Sequence, residues 1–253
     1  MKISKIVLYD EPAVPEIQLD KIKKFITNTF NIKVETKGDF FKSANNDIFE
    51  KIATTRIFDL KNQFKKHIPT IEEIQIEKEN NPHQKETSLY DGFELQNIVK
   101  EYIQTNENTL HIVFTNRLTA TFDESDFRYH ARALIGSNPA IISITGIIEA
   151  PAKPKQFYLD LMTNFSENRI EEVNKKYKGE FLEYHDPRMY EILEGYVLQI
   201  IVYYETGEAF CDKKECRLFN AHWQKDLLHS QIESKKLCEH HQGIINNFNK
   251  SFR

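Results

Sequence analysis

The chain has 253 residues, a net charge of −4 and 28% charged residues, with acidic and basic side chains interspersed along its length. This length fits one large domain, or one domain with a small appendage, and the charge pattern argues against a nucleic-acid or membrane partner. No stretch is apolar for long enough to form a signal peptide or a membrane span, so we expect a cytoplasmic protein. An odd number of cysteines, three, fits a disulfide framework poorly and favours metal binding instead.

The first three fifths of the chain predict alternating strands and helices. Period-two alternation or short apolar runs predict strands at 2–9, 32–35, 110–114 and, within a β-rich stretch from 129 to 148, at 140–144. Apolar residues at helical spacing predict helices at 17–30, 48–66 and 91–102. Residues 71–88 are rich in Glu, Asn, Gln and Lys and contain Pro82, which predicts an exposed loop.

A long buried helix is predicted near residues 189–204. Asp186 and Pro187 are typical of an N-cap followed by the first helical position. Apolar residues then recur at i, i+3, i+4 and i+7 for about five turns, which indicates a wide buried face. Gly207 is expected to end the helix, because glycine readily adopts the left-handed conformation of a C-terminal cap.

All three cysteines lie close together after this helix. Cys211 and Cys216 form a C-x4-C pair, and Cys238 with His241 forms a C-x2-H pair. Together they provide the Cys3His set of a closed, tetrahedral zinc site, with His240 as the alternative fourth ligand. The other interpretation is three buried structural thiols beside a surface histidine pair, with no metal bound.

The segment from Gly207 to His241 resembles the C-terminal part of the archaemetzincins, relatives of the metzincin metallopeptidases. In that family a helix bearing H-E-x-x-H-x-x-G-x-x-H-C precedes C-x4-C-x-M and C-x-x-C motifs, whose cysteines hold a structural zinc. Gly207, Cys211 and Cys216 fall at matching positions. Leu218 stands in place of the methionine, and His241 replaces the last cysteine.

Other stretches carry the same resemblance. Residues 110–122 and 139–143 are similar to upper-domain strands of the archaemetzincins, and 127–130, 149–154 and 216–224 look like an archaeal family grouped with the metallopeptidases. The resemblance implies an α+β fold with a metzincin-like mixed sheet, packed helices, a long buried helix and a small C-terminal lobe bound to one structural zinc ion. We expect the main domain to span 1–207 and the lobe to span 208–253.

The catalytic motif of that family is absent. Alignment on Gly207 and Cys211 places Ile200, Tyr204 and Phe210 at the three histidines. Ile201 stands at the glutamate. A metallopeptidase of this type needs two histidines on one helical face and a carboxylate that accepts a proton from the bound water. We therefore predict no catalytic residue and no peptidase activity by this route.

Two functional hypotheses remain. The first is a binding or regulatory module whose remnant cleft, near Tyr204, His222, Glu149 and His130, holds a peptide or protein ligand. The second is a metallopeptidase or other metal-dependent hydrolase whose ligands have moved, to residues such as His130, Glu149, His185 or His222. None of these residues has a typical metal-ligand spacing, so each is also compatible with a purely structural role.

Overall fold

The computed structural model describes residues 2–80, 88–162 and 167–250. Its strands are β1 (Lys5–Tyr9), β2 (Lys33–Lys37), β3 (Leu89–Asp91), β4 (Thr109–Thr115), β5 (Leu118–Asp123), β6 (Arg128–Arg132), β7 (Leu134–Ile135) and β8 (Ala140–Ser143). Its α-helices are α1 (Leu19–Phe30), α2 (Phe40–Ser43), α3 (Ile48–Ala53), α4 (Ile71–Glu79), α5 (Gly92–Glu101), α6 (Ile144–Glu149), α7 (Lys155–Met162), α8 (Glu167–Lys176), α9 (Met189–Thr206), α10 (Gln224–Leu228) and α11 (Glu239–Lys250). A 3-10 turn (Pro15–Ile17) precedes α1, and a π-helical turn (His229–Ser234) follows α10.

The larger sheet has the strand order β2-β1-β4-β8-β7. Its first four strands are parallel, and β7 pairs antiparallel with β8. From β1 the chain crosses through α1 to β2 on one side, and later adds β4 and β8 on the other side. The direction of winding therefore reverses between β1 and β4.

Both faces of this sheet are covered by helices. Ile6 and Leu8 of β1 belong to the core formed with α1 and α9, whereas Val7 and Tyr9 belong to the core formed with α3 and α5. This division follows from the alternation of side chains along a strand. Burial of each such apolar side chain contributes about 1.5–3 kcal/mol. The predicted mixed sheet with packed helices is confirmed.

A smaller sheet has the order β3-β5-β6. β3 and β5 are parallel, and β5 pairs antiparallel with β6 from Thr119–Arg132 to Asp123–Arg128. Among the described strands β6 lies at the edge of this sheet, and the N–H of its Tyr129 donates to the Leu60 carbonyl at 2.8 Å.

The prediction of a long buried helix is confirmed by α9. Its first turn is preceded by Asp186, whose carboxylate accepts a hydrogen bond from the Arg188 backbone N–H at 2.9 Å. The helix ends at Gly207, which has φ 81°. In the described part of the chain, no helix combines the length and apolar character needed to cross a bilayer.

Two predictions in the first half of the chain were wrong. The helix predicted at 48–66 stops at Ala53. Residues 71–79, predicted as a loop, form α4, whose start is fixed by reciprocal hydrogen bonds between Thr70 and Glu73. The inward side of α4 carries the fully buried Glu77, so apolar periodicity could not reveal it. Pro82, used for the loop prediction, lies outside the described residues.

Candidate metal centre and adjoining cavity

The four predicted zinc ligands lie together after α9. Short bridges pair Cys211 with Phe219 and Cys216 with Lys236, which fold the segment between them into a compact loop. Cys238 directly precedes α11, and His241 lies in its first turn. One ligand atom from each of Cys211, Cys216, Cys238 and His241 lies within 4.8 Å of the others.

The spacing of these donor atoms fits one tetrahedral zinc ion. Four donors at the usual Zn–S and Zn–N lengths are about 3.3–3.8 Å apart. The Sγ atoms of Cys211 and Cys238 are 3.9 Å apart, and His241 Nδ1 lies 3.6 Å from Cys216 Sγ and 3.1 Å from Cys238 Sγ. A disulfide would require sulfur atoms about 2 Å apart. The cysteines are therefore free thiols grouped around one point.

Backbone N–H groups support the sulfur atoms. Lys213 N–H donates to Cys211 Sγ at 3.4 Å, and Cys238 N–H donates to Cys216 Sγ at 3.5 Å. Such donors stabilise a thiolate that binds a metal. Burial raises the pKa of the Cys216 thiol to about 12. Metal binding at this cluster therefore has to displace a thiol proton.

His241, rather than His240, enters the cluster. Its Nδ1 faces the thiols, while its buried Nε2 has no hydrogen-bond partner among the described residues and lies 3.6 Å from a Glu208 carboxylate oxygen. Burial is the main cause that lowers the pKa of His241, with smaller contributions from His240 and Lys213. The lowered pKa favours the neutral imidazole, the form that binds zinc. His240 is exposed and contacts Glu208 at 2.8 Å.

A cavity of about 780 Å³ adjoins this region. One wall is β6 with the residues that follow it to Gly136, and a second part of the lining is one face of α9. Residues 209–210 and 219–222, which flank the cysteine loop, close a third side. The cavity thus lies between the smaller sheet, the long helix and the cysteine cluster.

The face of α9 in this cavity differs from the face that the alignment predicted. Tyr196, Gln199 and Tyr203 line the cavity, and Gln199 Nε2 donates to the Ala209 carbonyl at 2.9 Å. Ile200 and Ile201, at the positions of the first histidine and the glutamate, are fully buried in the core beneath the sheet. That core position agrees with the wide buried face predicted for this helix.

The residues at the third and second histidine positions lie in different surroundings from each other. Phe210, at the third histidine, is 48% exposed and lines the cavity. Tyr204, at the second histidine, does not line it. Its ring packs against the core, and its hydroxyl is 3.5 Å from the Glu107 carbonyl.

The remaining candidate residues are not brought to one place. His130 and His222 both line the large cavity, and His130 Nε2 lies 2.8 Å from an Asp126 carboxylate oxygen. Glu149 is exposed at the end of α6 and does not line this cavity. His185 lies 3.0 Å from Glu16 in a separate, smaller cavity.

Sequence reasoning missed Gln199, Tyr203 and Arg132 as lining residues of the cavity. Gln199 is the only amide in α9 and interrupts an otherwise apolar run, a signal that could have identified the inward polar face. Tyr203 follows it by four residues and therefore shares its face. Arg132, on β6, donates from Nε to Thr121 Oγ1 at 2.8 Å.

Comparison with known proteins gives the chain a family. No curated protein matches the sequence. Among solved structures, archaemetzincin from Methanopyrus kandleri is similar with 10% identity, 98% of this chain and 97% of that chain covered, and a TM-score of 0.49. A zinc-dependent peptidase from Methanocorpusculum labreanum is similar with 10% identity, 96% and 100% coverage, and a TM-score of 0.44. The sequence pattern of the "Probable metallopeptidase family (DUF6775)" matches residues 2–248, so this chain belongs to that family.

Proposed function

We propose that this protein is a zinc-stabilised, peptide-binding member of its metallopeptidase family that does not hydrolyse peptides by the zinc-and-glutamate route. The observation that carries the proposal is the lining of the large cavity. Among its described residues there is no aspartate, glutamate or cysteine, and the two histidines come from different walls. A cavity of this composition offers contacts for a ligand but no carboxylate that could activate water.

Zinc has a structural role in this proposal. Cys211, Cys216, Cys238 and His241 would hold one ion, and the ion would supply folding free energy to a segment held together by few backbone bridges. The Glu208 carboxylate lies where it can accept a hydrogen bond from His241 Nε2–H once Nδ1 binds metal. All available ligand positions would then be filled by protein, as expected for a closed site.

The cavity is suited to an extended peptide. All five residues of β6 line the cavity. Successive side chains of a strand point to opposite faces of its sheet, so a cavity that lay on only one face would be lined by every second residue. The cavity therefore borders the backbone of the strand itself, where the Tyr129 N–H is already bonded to the Leu60 carbonyl. A peptide could pair with the other backbone groups of this edge, or displace the Leu60 carbonyl, as in other cases of strand addition. Tyr196, Tyr203 and Phe210 provide aromatic contacts within the cavity.

A metal-dependent hydrolase is the alternative, and one cluster favours it. Oxygen atoms of Asp123 and Asp126 and a ring nitrogen of His130 lie within 4.8 Å of one another, and His130 lines the cavity. A second metal ion there would provide hydrolytic chemistry. The two functions differ in metal content and in the fate of the peptide.

The test is binding and cleavage of a pool of random extended peptides by the intact, zinc-loaded chain. We expect peptides to be retained and recovered uncleaved, as judged by mass spectrometry. Tyr203→Ala should weaken binding of a selected peptide about tenfold, because interface tyrosines often contribute more than 1 kcal/mol. Tyr158→Ala, at an exposed tyrosine of α7 that does not line the cavity, is the matched control. Chelator-sensitive cleavage, or equal effects of the two substitutions, would contradict the proposal.

A further inference from the structure

The large cavity beside β6 is basic along one wall. Arg128, His130 and Arg132 all line it, and they occupy every second position of the strand. Side chains at alternate positions of a strand lie on the same face of the sheet. Among the described residues of the lining there is no aspartate or glutamate, so the charges that the cavity presents to a ligand are positive.

Two of these three side chains already have an acidic neighbour. His130 Nε2 lies 2.8 Å from Asp126 Oδ2, and Arg128 Nε lies 3.7 Å from the same oxygen. Asp123 also stands directly opposite Arg128 in the pairing of β5 with β6. The charge of Arg128, and that of a protonated His130, is therefore compensated within the protein before a ligand binds.

Arg132 differs from them because its charge has no such partner. Its Nε donates to Thr121 Oγ1 at 2.8 Å, and its guanidinium makes no other hydrogen bond and no ion pair with the described residues. The residue opposite it on β5 is the neutral Thr119. The N–H donors of Nη1 and Nη2 are therefore left for a ligand or for water.

Both Nη groups of Arg132 can be reached from the cavity. The side chain lines the cavity and is partly exposed. Neither Nη1 nor Nη2 belongs to the enclosed, unpaired side-chain atoms of the described residues, which means that each retains accessible surface. A planar guanidinium held at Nε presents its Nη donors as a fork that matches the two oxygens of a carboxylate.

The backbone of β6 places a bound peptide next to this side chain. The Tyr129 N–H points away from β5, because it donates to the Leu60 carbonyl. Backbone groups alternate in direction along a strand of an antiparallel pair, so Ala131 also directs its N–H and C=O away from β5. A peptide that pairs with Ala131 would set its adjacent side chain opposite Arg132, on the same face of the sheet.

We infer that the large cavity selects peptides that carry a carboxylate, and that Arg132 is the residue that binds this group. The inference rests on the proposed peptide-binding function and adds the chemistry of the preferred ligand. The Nη1 and Nη2 groups donate to the carboxylate oxygens, whereas a neutral amide in the same place brings no counter-charge. Charge-assisted pairs of this geometry are stronger and more directional than neutral hydrogen bonds. An acidic side chain and the C-terminus of a peptide offer the same group.

The test is a fluorescence-anisotropy titration of the intact, zinc-loaded chain with short labelled peptides of alternating valine and serine, blocked at both ends. The peptides differ only in a central glutamate, glutamine or lysine. We expect the glutamate peptide to bind about tenfold more tightly than the glutamine peptide, and the lysine peptide to bind most weakly. A further glutamine peptide with a free C-terminal carboxylate distinguishes the two sources of the group. Tighter binding of this peptide than of its blocked form would assign the site to the chain end.

Substitutions locate the selectivity. Arg132→Gln should make the glutamate and glutamine peptides bind alike, with the affinity for the glutamine peptide close to that of the native chain. The retained affinity is a readout that a misfolded variant would not give. Lys100→Gln removes the same charge from an exposed position of α5 that does not line the cavity, and it should keep the preference for glutamate.

The possible failures are distinguishable. If the native chain binds the glutamate peptide and both glutamine peptides equally, or if the preference survives in Arg132→Gln, the inference is overturned while peptide binding stands. If the native chain binds none of the peptides, the proposed function and the inference are both refuted.

Discussion

Replacing Glu77 with glutamine is expected to destabilise the protein by about 3–5 kcal/mol. Glu77 is 1% exposed and connects α4 to the rest of the fold. Its Oε1 accepts from Arg56 Nε at 2.9 Å, from Arg56 Nη2 at 2.7 Å and from the Tyr90 hydroxyl at 2.7 Å. Its Oε2 accepts from Arg117 Nε at 2.8 Å.

The magnitude follows from what the substitution leaves behind. Glutamine has the same shape but no charge, and its NH2 group would face donors on one of the two sides. Arg56 and Arg117, 7% and 4% exposed, would lose the carboxylate that both contact. Removing one partner of a buried ion pair leaves an uncompensated charge and typically costs about 3–5 kcal/mol. For a chain of this size that corresponds to a fall in Tm of about 6–20 °C.

The assay is chemical and thermal unfolding of the variant beside Glu79→Gln. Glu79 lies two residues further along α4, is exposed and accepts from Gln75 at 2.8 Å. We expect the control to change the free energy of unfolding by less than about 0.5 kcal/mol. If Glu77→Gln costs less than about 1 kcal/mol, the buried ion-pair network does not hold α4 in the way described here.

Further predictions concern packing, titration and metal removal. Gly195→Ala should lower the free energy of unfolding by about 1–3 kcal/mol, because the new Cβ would lie 1.8 Å from the buried Gln231 Oε1. Gly243→Ala is the control: a Cβ there would have nothing within 4 Å, so an unfolding assay should show no destabilisation. Hydrogen bonds, first of all from Lys176, lower the pKa of Asp160 to about 2. The stabilisation from this contact is therefore fully present above the ordinary pKa of 3.8 and is lost as the pH falls towards 2. An NMR titration midpoint near 3.8 for the Asp160 carboxyl group would contradict this prediction. Removal of zinc with a strong chelator should lower the Tm and loosen α11 first, as measured by hydrogen exchange, whereas uniform loss of protection along the chain would argue against a local role.

The elements that apolar periodicity describes could be predicted from the sequence. The strands β1, β4 and β8 and the helix α9 alternate or repeat their apolar residues in the way that burial against a sheet requires. The helix α4 could not be predicted in this way, because its buried contact is made by the charged Glu77. Its partner Arg117 is 40 residues away in the sequence, and local pattern carries no information about such a pair.

The candidate sites, too, were predictable only in part. The spacing of the cysteines and His241 was enough to predict that they lie together, because two short motifs can meet on one ion. The motif alignment could not predict which face of α9 lines the large cavity. A shift of one residue along a helix moves the side chain around the axis by about 100°. The alignment therefore directed attention to Tyr204, whereas Tyr203 lines the cavity.

The most direct test of the account is the metal content of the purified chain, measured by plasma mass spectrometry for the native protein and for Cys216→Ser. Cys216 is fully buried within the cluster. We predict about one zinc per native chain and almost none in the variant, because a closed four-ligand site loses most of its affinity when one ligand is removed. Two metal ions per native chain, or a zinc content unchanged in Cys216→Ser, would contradict the proposal of a single structural zinc and favour a metal-dependent hydrolase.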